Sequence, residues 1–128
     1  MNEQIKTHLE KYPQEIADMF VALRKLILDS VSVDVEETMW AKLPSYYNGD
    51  KVVRLIPFKD HINVEANAII QHKDELSDYK ITPKGMLQVY VKQELPADVL
   101  KTIFAETFVS AFCSLKAGLL TALSVWLV

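Results

Sequence analysis

A chain of 128 residues, half of it hydrophobic and a quarter charged, has the length and composition of one domain with a buried core. Its formal charge of −3 and the lack of a basic block exclude a protein organised around phosphate backbones, so no nucleic-acid partner is expected. The single cysteine, Cys113, rules out an internal disulfide and a thiolate metal site within one chain.

The opening, MNEQIKTHLEKY, is polar and lacks the apolar core of a signal peptide, so a cytoplasmic location is expected. Glu3 to Lys11 predict a short helix with Ile5 and Leu9 on one face. Tyr12-Pro13 ends it, because the residue before proline disfavours the α region. Pro13 then suits the start of a second helix, Gln14 to Ser30. Ile16, Met19, Phe20, Leu23, Leu26 and Ile27 fall at helical spacing and make its apolar stripe. Val31 to Asp34 connects to the next unit.

Glu36 to Glu65 reads as strand, aromatic turn, strand, tight turn, strand. Val52, Val53, Leu55 and Ile56 have the density of a buried strand. Asn48-Gly49 accepts positive φ cheaply and predicts a reverse turn. Lys59-Asp60 is a second break, and Ile62 and Val64 follow at period two. Asn67 to Asp78 predicts a shorter helix with Ile69, Ile70, Lys73 and Leu76 inward. Met86 to Val91 alternates as a further strand. Pro96 opens a last helix with Val99, Leu100, Ile103 and Phe104 inward. The order predicts an α+β two-layer sandwich: an antiparallel sheet of about four or five strands covered by helices.

The domain is expected to span residues 1–106. From Thr107 to Val128 the segment carries one charge, Lys116, and is expected to be helical. About 20 apolar residues can span a bilayer, but a charge near the middle costs roughly 2.5–3.5 kcal/mol there, so a membrane is disfavoured. Phe104, Phe108 and Phe112, and Leu115, Leu119 and Leu123, repeat every four residues. That stripe suits packing on the core or on a second copy, a homo-oligomer. A change of reading frame is another origin for such an ending.

Glycine occurs only at positions 49, 85 and 118, which builds neither a phosphate loop nor a dinucleotide fingerprint. No nucleophile elbow or His-Glu-x-x-His is present, and no enzymatic activity is expected. His72 and Glu75, three apart on the expected helix, are the best local imidazole–carboxylate pair. His61 sits at a turn beside Asp60. Asn63 and Glu65 follow on its face, but about 13 Å of strand separates His61 from Glu65, so the two do not chelate one ion. Trp40, Pro44, Tyr46, Tyr47 and Phe58 form an aromatic concentration suited to a cleft wall or partner surface. Lys42, Lys51, Arg54 and Lys59 lie near it, which suits a small anionic ligand.

Glu36-Glu37, Trp40, Leu43-Pro44, Tyr47, Gly49 and Phe58-Lys59-Asp60-His61-Ile62 resemble the signature of the YdhG-like family. The resemblance continues at Glu75-Leu76, Tyr79-Lys80, Thr82, Lys84-Gly85, Leu87-Gln88 and Leu95-Pro96, and covers Tyr12 to Phe104. Members usually continue as a charged amphipathic helix, from which the apolar tail departs. The family includes a frataxin-like intracellular iron chaperone. The resemblance therefore implies weakly held iron, passed to an acceptor protein. Its ligands would come from exposed carboxylates such as Asp18, Glu36 and Glu37, with His61 and the His72–Glu75 pair. The other reading is a non-enzymatic small-ligand or protein-interaction module using the Trp40–Tyr47 segment with Lys51, Phe58 and Lys59.

Overall fold

The computed structural model describes residues 1–31 and 34–117, and side chains as far as residue 109. Helices α1 (Glu3–Leu9) and α2 (Gln14–Asp29) come first. Strands β1 (Glu36–Trp40), β2 (Leu43–Asn48), β3 (Lys51–Pro57) and β4 (His61–Glu65) follow. Two short 3₁₀ segments, Asn67–His72 and Asp74–Leu76, lead to β5 (Lys80–Ile81), β6 (Leu87–Tyr90) and helix α3 (Ala97–Ala117).

The strands form one antiparallel sheet of six, in the order β1-β2-β3-β4-β6-β5. An α+β fold with helices against such a sheet agrees with the sequence reading. Two differences enlarge the sheet beyond four or five strands. The expected aromatic turn is itself a strand, β2, and the real turn is Ala41-Lys42, whose φ angles are 51° and 68°. Two-residue hairpin turns of this hand match the twist of the strands. The other addition is the two-residue β5.

Alternation divides the sheet into two faces. Tyr46, Val53, Leu55, Ile62, Val64, Leu87 and Val89 point inward and are fully buried. α2 meets them with Ile16, Phe20, Leu23 and Ile27, the apolar stripe read from the sequence. α3 adds Leu100, Ile103, Phe104 and Phe108. Truncating a residue such as Phe20 would cost about 3–5 kcal/mol.

Asn67–Leu76 is not the α-helix expected. It winds as 3₁₀ turns, and Ile70, expected inward, is 54% exposed. The tighter winding keeps Ala68, Ile69 and Leu76 inside and turns Ile70 to solvent. Thr107 Oγ1 accepts from the Ala68 N–H at 3.2 Å and ties this segment to α3. α3 runs unbroken across residue 106, and Thr107 and Phe108 are buried, so the backbone has no break at the expected domain boundary. Residues 118–128 of the apolar tail lie outside the described residues.

Candidate functional site

Every helix packs on the inner face of the sheet, and among the described residues no element covers the other face. That outer face presents Thr38 and Trp40 from β1, Leu43, Ser45 and Tyr47 from β2, and Val52, Arg54 and Ile56 from β3. It continues with His61, Asn63 and Glu65 from β4 and Gln88 and Tyr90 from β6. A bare outer face would normally be short polar residues. This one carries aromatic rings, an arginine and two amides.

Two ordered groups stand on it. In the first, the Arg54 guanidinium lies over the Trp40 ring, 4.5 Å from its centre, and 5.9 Å from the centre of the Tyr47 ring. Each of its nitrogens is spoken for. Nε donates to Ser45 Oγ at 3.1 Å, Nη1 to Glu65 Oε2 at 2.9 Å and Nη2 to the Tyr47 hydroxyl at 3.0 Å. Such a planar fork fixes the side chain and leaves Trp40 held by cation–π attraction, with 54% of its surface in solvent. In the second, Phe58 stacks on the His61 ring with centroids 4.6 Å apart, and Tyr90 leans on the far side at 4.7 Å. His61 Nδ1 is 2.7 Å from Asp60 Oδ1, because the tight Phe58–His61 turn brings the two side chains together.

Between the groups lie Leu43, Ile56 and Asn63. The Asn63 amide nitrogen faces Met86 Sδ at 3.9 Å, and its oxygen is buried with no hydrogen-bond partner among the described residues. A buried acceptor left unmatched is costly.

The residues expected to contact a ligand divide. Trp40, Tyr47 and Phe58 are on this face. Tyr46 is not: it is fully buried on the helical side, where its hydroxyl donates to Glu37 Oε2 at 2.8 Å. Burial, and then the Glu37 carboxylate, push that phenol far above its ordinary value. Pro44 is likewise buried, opposite Met39. Their neighbours share the opposite parity, and the doublet Tyr46-Tyr47 hides which ring points out. Lys51 lies at the other end of β3, 3.7 Å from Asp50, while Lys59 is exposed in the β3–β4 turn. Sequence reading passed over Glu65, Gln88 and Tyr90 as site residues. Their period-two alternation with Ile62, Val64, Leu87 and Val89 is the signal that places them outward.

The residues expected to hold iron do not come together. Glu37 is inside, bound to Arg24 Nε at 2.5 Å, to the Tyr46 hydroxyl and to the Asn2 N–H at 2.8 Å. Burial alone would raise its carboxyl, but these three donors outweigh that and hold it below the usual range. Glu36 is exposed on β1 and Asp18 on α2, where Gln14 donates to it at 2.8 Å. His72 does meet Glu75, as the spacing implied, at 2.5 Å through Nδ1. Its Nε2 is 2.7 Å from Glu106 of α3, a partner that sequence spacing could not reveal. Both ring nitrogens are therefore engaged, on opposite sides of the ring. Among the described residues no group of three or more His, Cys, Asp and Glu is placed to hold a metal ion.

A cleft of about 450 Å³ lies at the other end of β4, lined by Glu65, Asn67, Ile70, Lys84 and Met86 among others. It shares Glu65 with the open face but contains no aromatic ring. No helix among the described residues is long and apolar enough to cross a membrane.

Fold and site together define an α+β domain whose sheet is covered by helices on one side and bears an ordered aromatic and arginine surface on the other. No family model, curated protein or solved structure matches the chain.

Proposed function

We propose that the chain is a non-enzymatic binding module whose ligand site is the open sheet face, centred between Trp40 and Phe58. The observation that carries it is the pair of ordered groups on an uncovered face: Trp40 held by Arg54, and Phe58 stacked on His61 against Tyr90. Rings fixed in advance lose little freedom when a ligand arrives, so their apolar area converts efficiently into affinity. Trp40 and Phe58, 54% and 41% exposed, supply that area, and the half-buried Gln88 amide adds a hydrogen-bonding group for orientation. Iron carriage retains the resemblance of residues as its support. The carboxylates it would need are spread over α2, β1 and the 3₁₀ segment.

Amide chemical-shift mapping with a library of small ring-bearing fragments tests this. Shifts are expected at residues 40–47, 54–58, 61–63 and 88–90. Hits gathering instead in the cleft around Lys84, or on the helical face, would overturn it.

A further inference from the structure

β1, β3 and β6 run in one direction, so their C-terminal ends lie together at one end of the sheet. Trp40, Phe58 and Tyr90 mark those ends. Each is followed within two residues by an exposed lysine: Lys42 in the β1–β2 turn, Lys59 in the β3–β4 turn and Lys92 after β6. The Val91 N–H donates to the Asp60 carbonyl at 3.1 Å and fastens the last two turns side by side. Among the described residues none of these three lysines forms an ion pair. The acid within these turns, Asp60, is taken up by His61. Glu94 lies two residues past Lys92. A chain of net charge −3 thus gathers an excess of positive charge at the aromatic end of its open face.

The platform within this rim has a definite size. Trp40 and Phe58 stand two strands apart and two residues out of line, about 12 Å. Leu43 lies opposite Trp40 in the pairing of β1 with β2, and Ile56 lies on β3 two residues before Phe58. Leu43 and Ile56 thus form an apolar floor between the two rings. Further along the same face the positive excess ends, with Glu36 exposed on β1 and Glu65 of β4 balanced by Arg54. A polyanion lying along the strands would meet those carboxylates, whereas a single anionic group at the rim would not.

We infer that the open face takes a small molecule made of a planar aromatic ring and one anionic group, a carboxylate or a phosphate. The ring lies over Leu43 and Ile56 between Trp40 and Phe58, and the anion meets Lys42, Lys59 and Lys92. Ring faces stack on aromatic side chains whatever the ring's substituents, and the lysines' flexible stems let their point charges follow the anion. This rests on the open face being the binding site, and adds the chemical class of what binds.

Calorimetry and amide shift mapping with indoleacetate and adenosine monophosphate test it, beside indole, adenosine, acetate and inorganic phosphate. Each charged ring probe should bind about tenfold more tightly than its neutral counterpart, the effect of two or three solvent-exposed charge contacts. Acetate and inorganic phosphate should bind far more weakly than either. Preference for one charged probe over the other separates a carboxylate ligand from a phosphate one. Trp40→Ala should weaken charged and neutral ring probes together. The triple change Lys42→Gln, Lys59→Gln and Lys92→Gln should abolish the preference for charge and leave the neutral probes unchanged. Charged and neutral probes binding alike, with shifts still on the open face, overturns the inference and leaves the binding face standing. So does a charge preference that survives the triple change. Absence of shifts on the face with every probe overturns both.

Discussion

The guanidinium carbon of Arg54 lies 4.5 Å from the centre of the Trp40 ring, across the intervening strand β2. Arg54 is 14% exposed and bonds three side chains, from Ser45, Tyr47 and Glu65, so it locks β2, β3 and β4 together on the open face. Lysine has one compact charge and cannot reproduce this fork. Arg54→Lys is expected to cost about 2 kcal/mol, between the values for exposed and buried ion pairs, because Glu65 keeps some access to water. Urea unfolding measures it. Loss of the guanidinium plane should also free the Trp40 ring, seen as broadened indole resonances in an otherwise folded protein. A variant as stable as the parent, with a fixed indole, would remove Arg54 from this role.

The turn that follows Trp40 carries strain. Ala41 and Lys42 have φ of 51° and 68°, values that residues with a Cβ adopt at a cost of roughly 1 kcal/mol or more each. Gly49, at φ +63°, occupies the next hairpin at no such cost. The paired change Ala41→Asn with Lys42→Gly should therefore raise stability by about 1 kcal/mol. It should also weaken the preference for anionic rings, since Lys42 is one of the three rim charges. Gly49→Ala should lower stability by about 1 kcal/mol through backbone strain alone, because an added Cβ meets nothing within 4 Å. Chemical denaturation of the two variants checks both stability values, and calorimetry with the charged and neutral ring probes checks the preference.

Helix α2 and the inner face of the sheet were legible because each follows a single period. Ile16 to Ile27 repeat at three and four, and Val53, Leu55, Ile62 and Val64 at two. The Ala41-Lys42 hairpin was not, because neither residue signals a turn. Without that turn, the aromatic residues of Leu43–Asn48 read as the turn itself rather than as strand β2. The candidate site suffered most from this. Trp40 and Arg54 are fourteen positions apart, and their contact depends on the register of two successive hairpins, which no local pattern supplies. The same holds for Glu106, which reaches His72 only because α3 packs on the 3₁₀ segment.

Glu37 gives the acid limb of stability. Its folded carboxyl titrates below the usual value of about 4.3, so its contribution is complete above that pH and is lost as pH falls through the lower folded value. Glu37→Gln should remove that limb. It should also cost about 2 kcal/mol at neutral pH, because Arg24, 26% exposed, and the buried Tyr46 hydroxyl lose their ionised partner. Stability curves between pH 3 and 7 for parent and variant, roughly the range over which a carboxylate titrates, make the comparison. Coincident slopes would show that another acid is responsible.

His72 should act in the opposite direction. The bond to Glu106, and then that to Glu75, raise the imidazole above its ordinary value of about 6.5. A raised folded value means that the stabilisation is complete below about 6.5 and disappears as pH climbs through the folded value. The carboxylates are 58% and 44% exposed, so solvent screening keeps the pair contribution to about 1 kcal/mol or less. His72→Gln should leave stability at pH 8 nearly unchanged and lower it at pH 6, since only the protonated ring donates to both acids at once. The same variant separates two views of the histidine. As a clip between the 3₁₀ segment and α3, its loss should speed amide exchange at Ala68 and Ile69 at the lower pH. As a metal ligand, its loss should instead abolish binding of ferrous iron by the parent and leave that exchange alone. The geometry favours the clip, because an ion can reach either nitrogen only by displacing a carboxylate that already holds it.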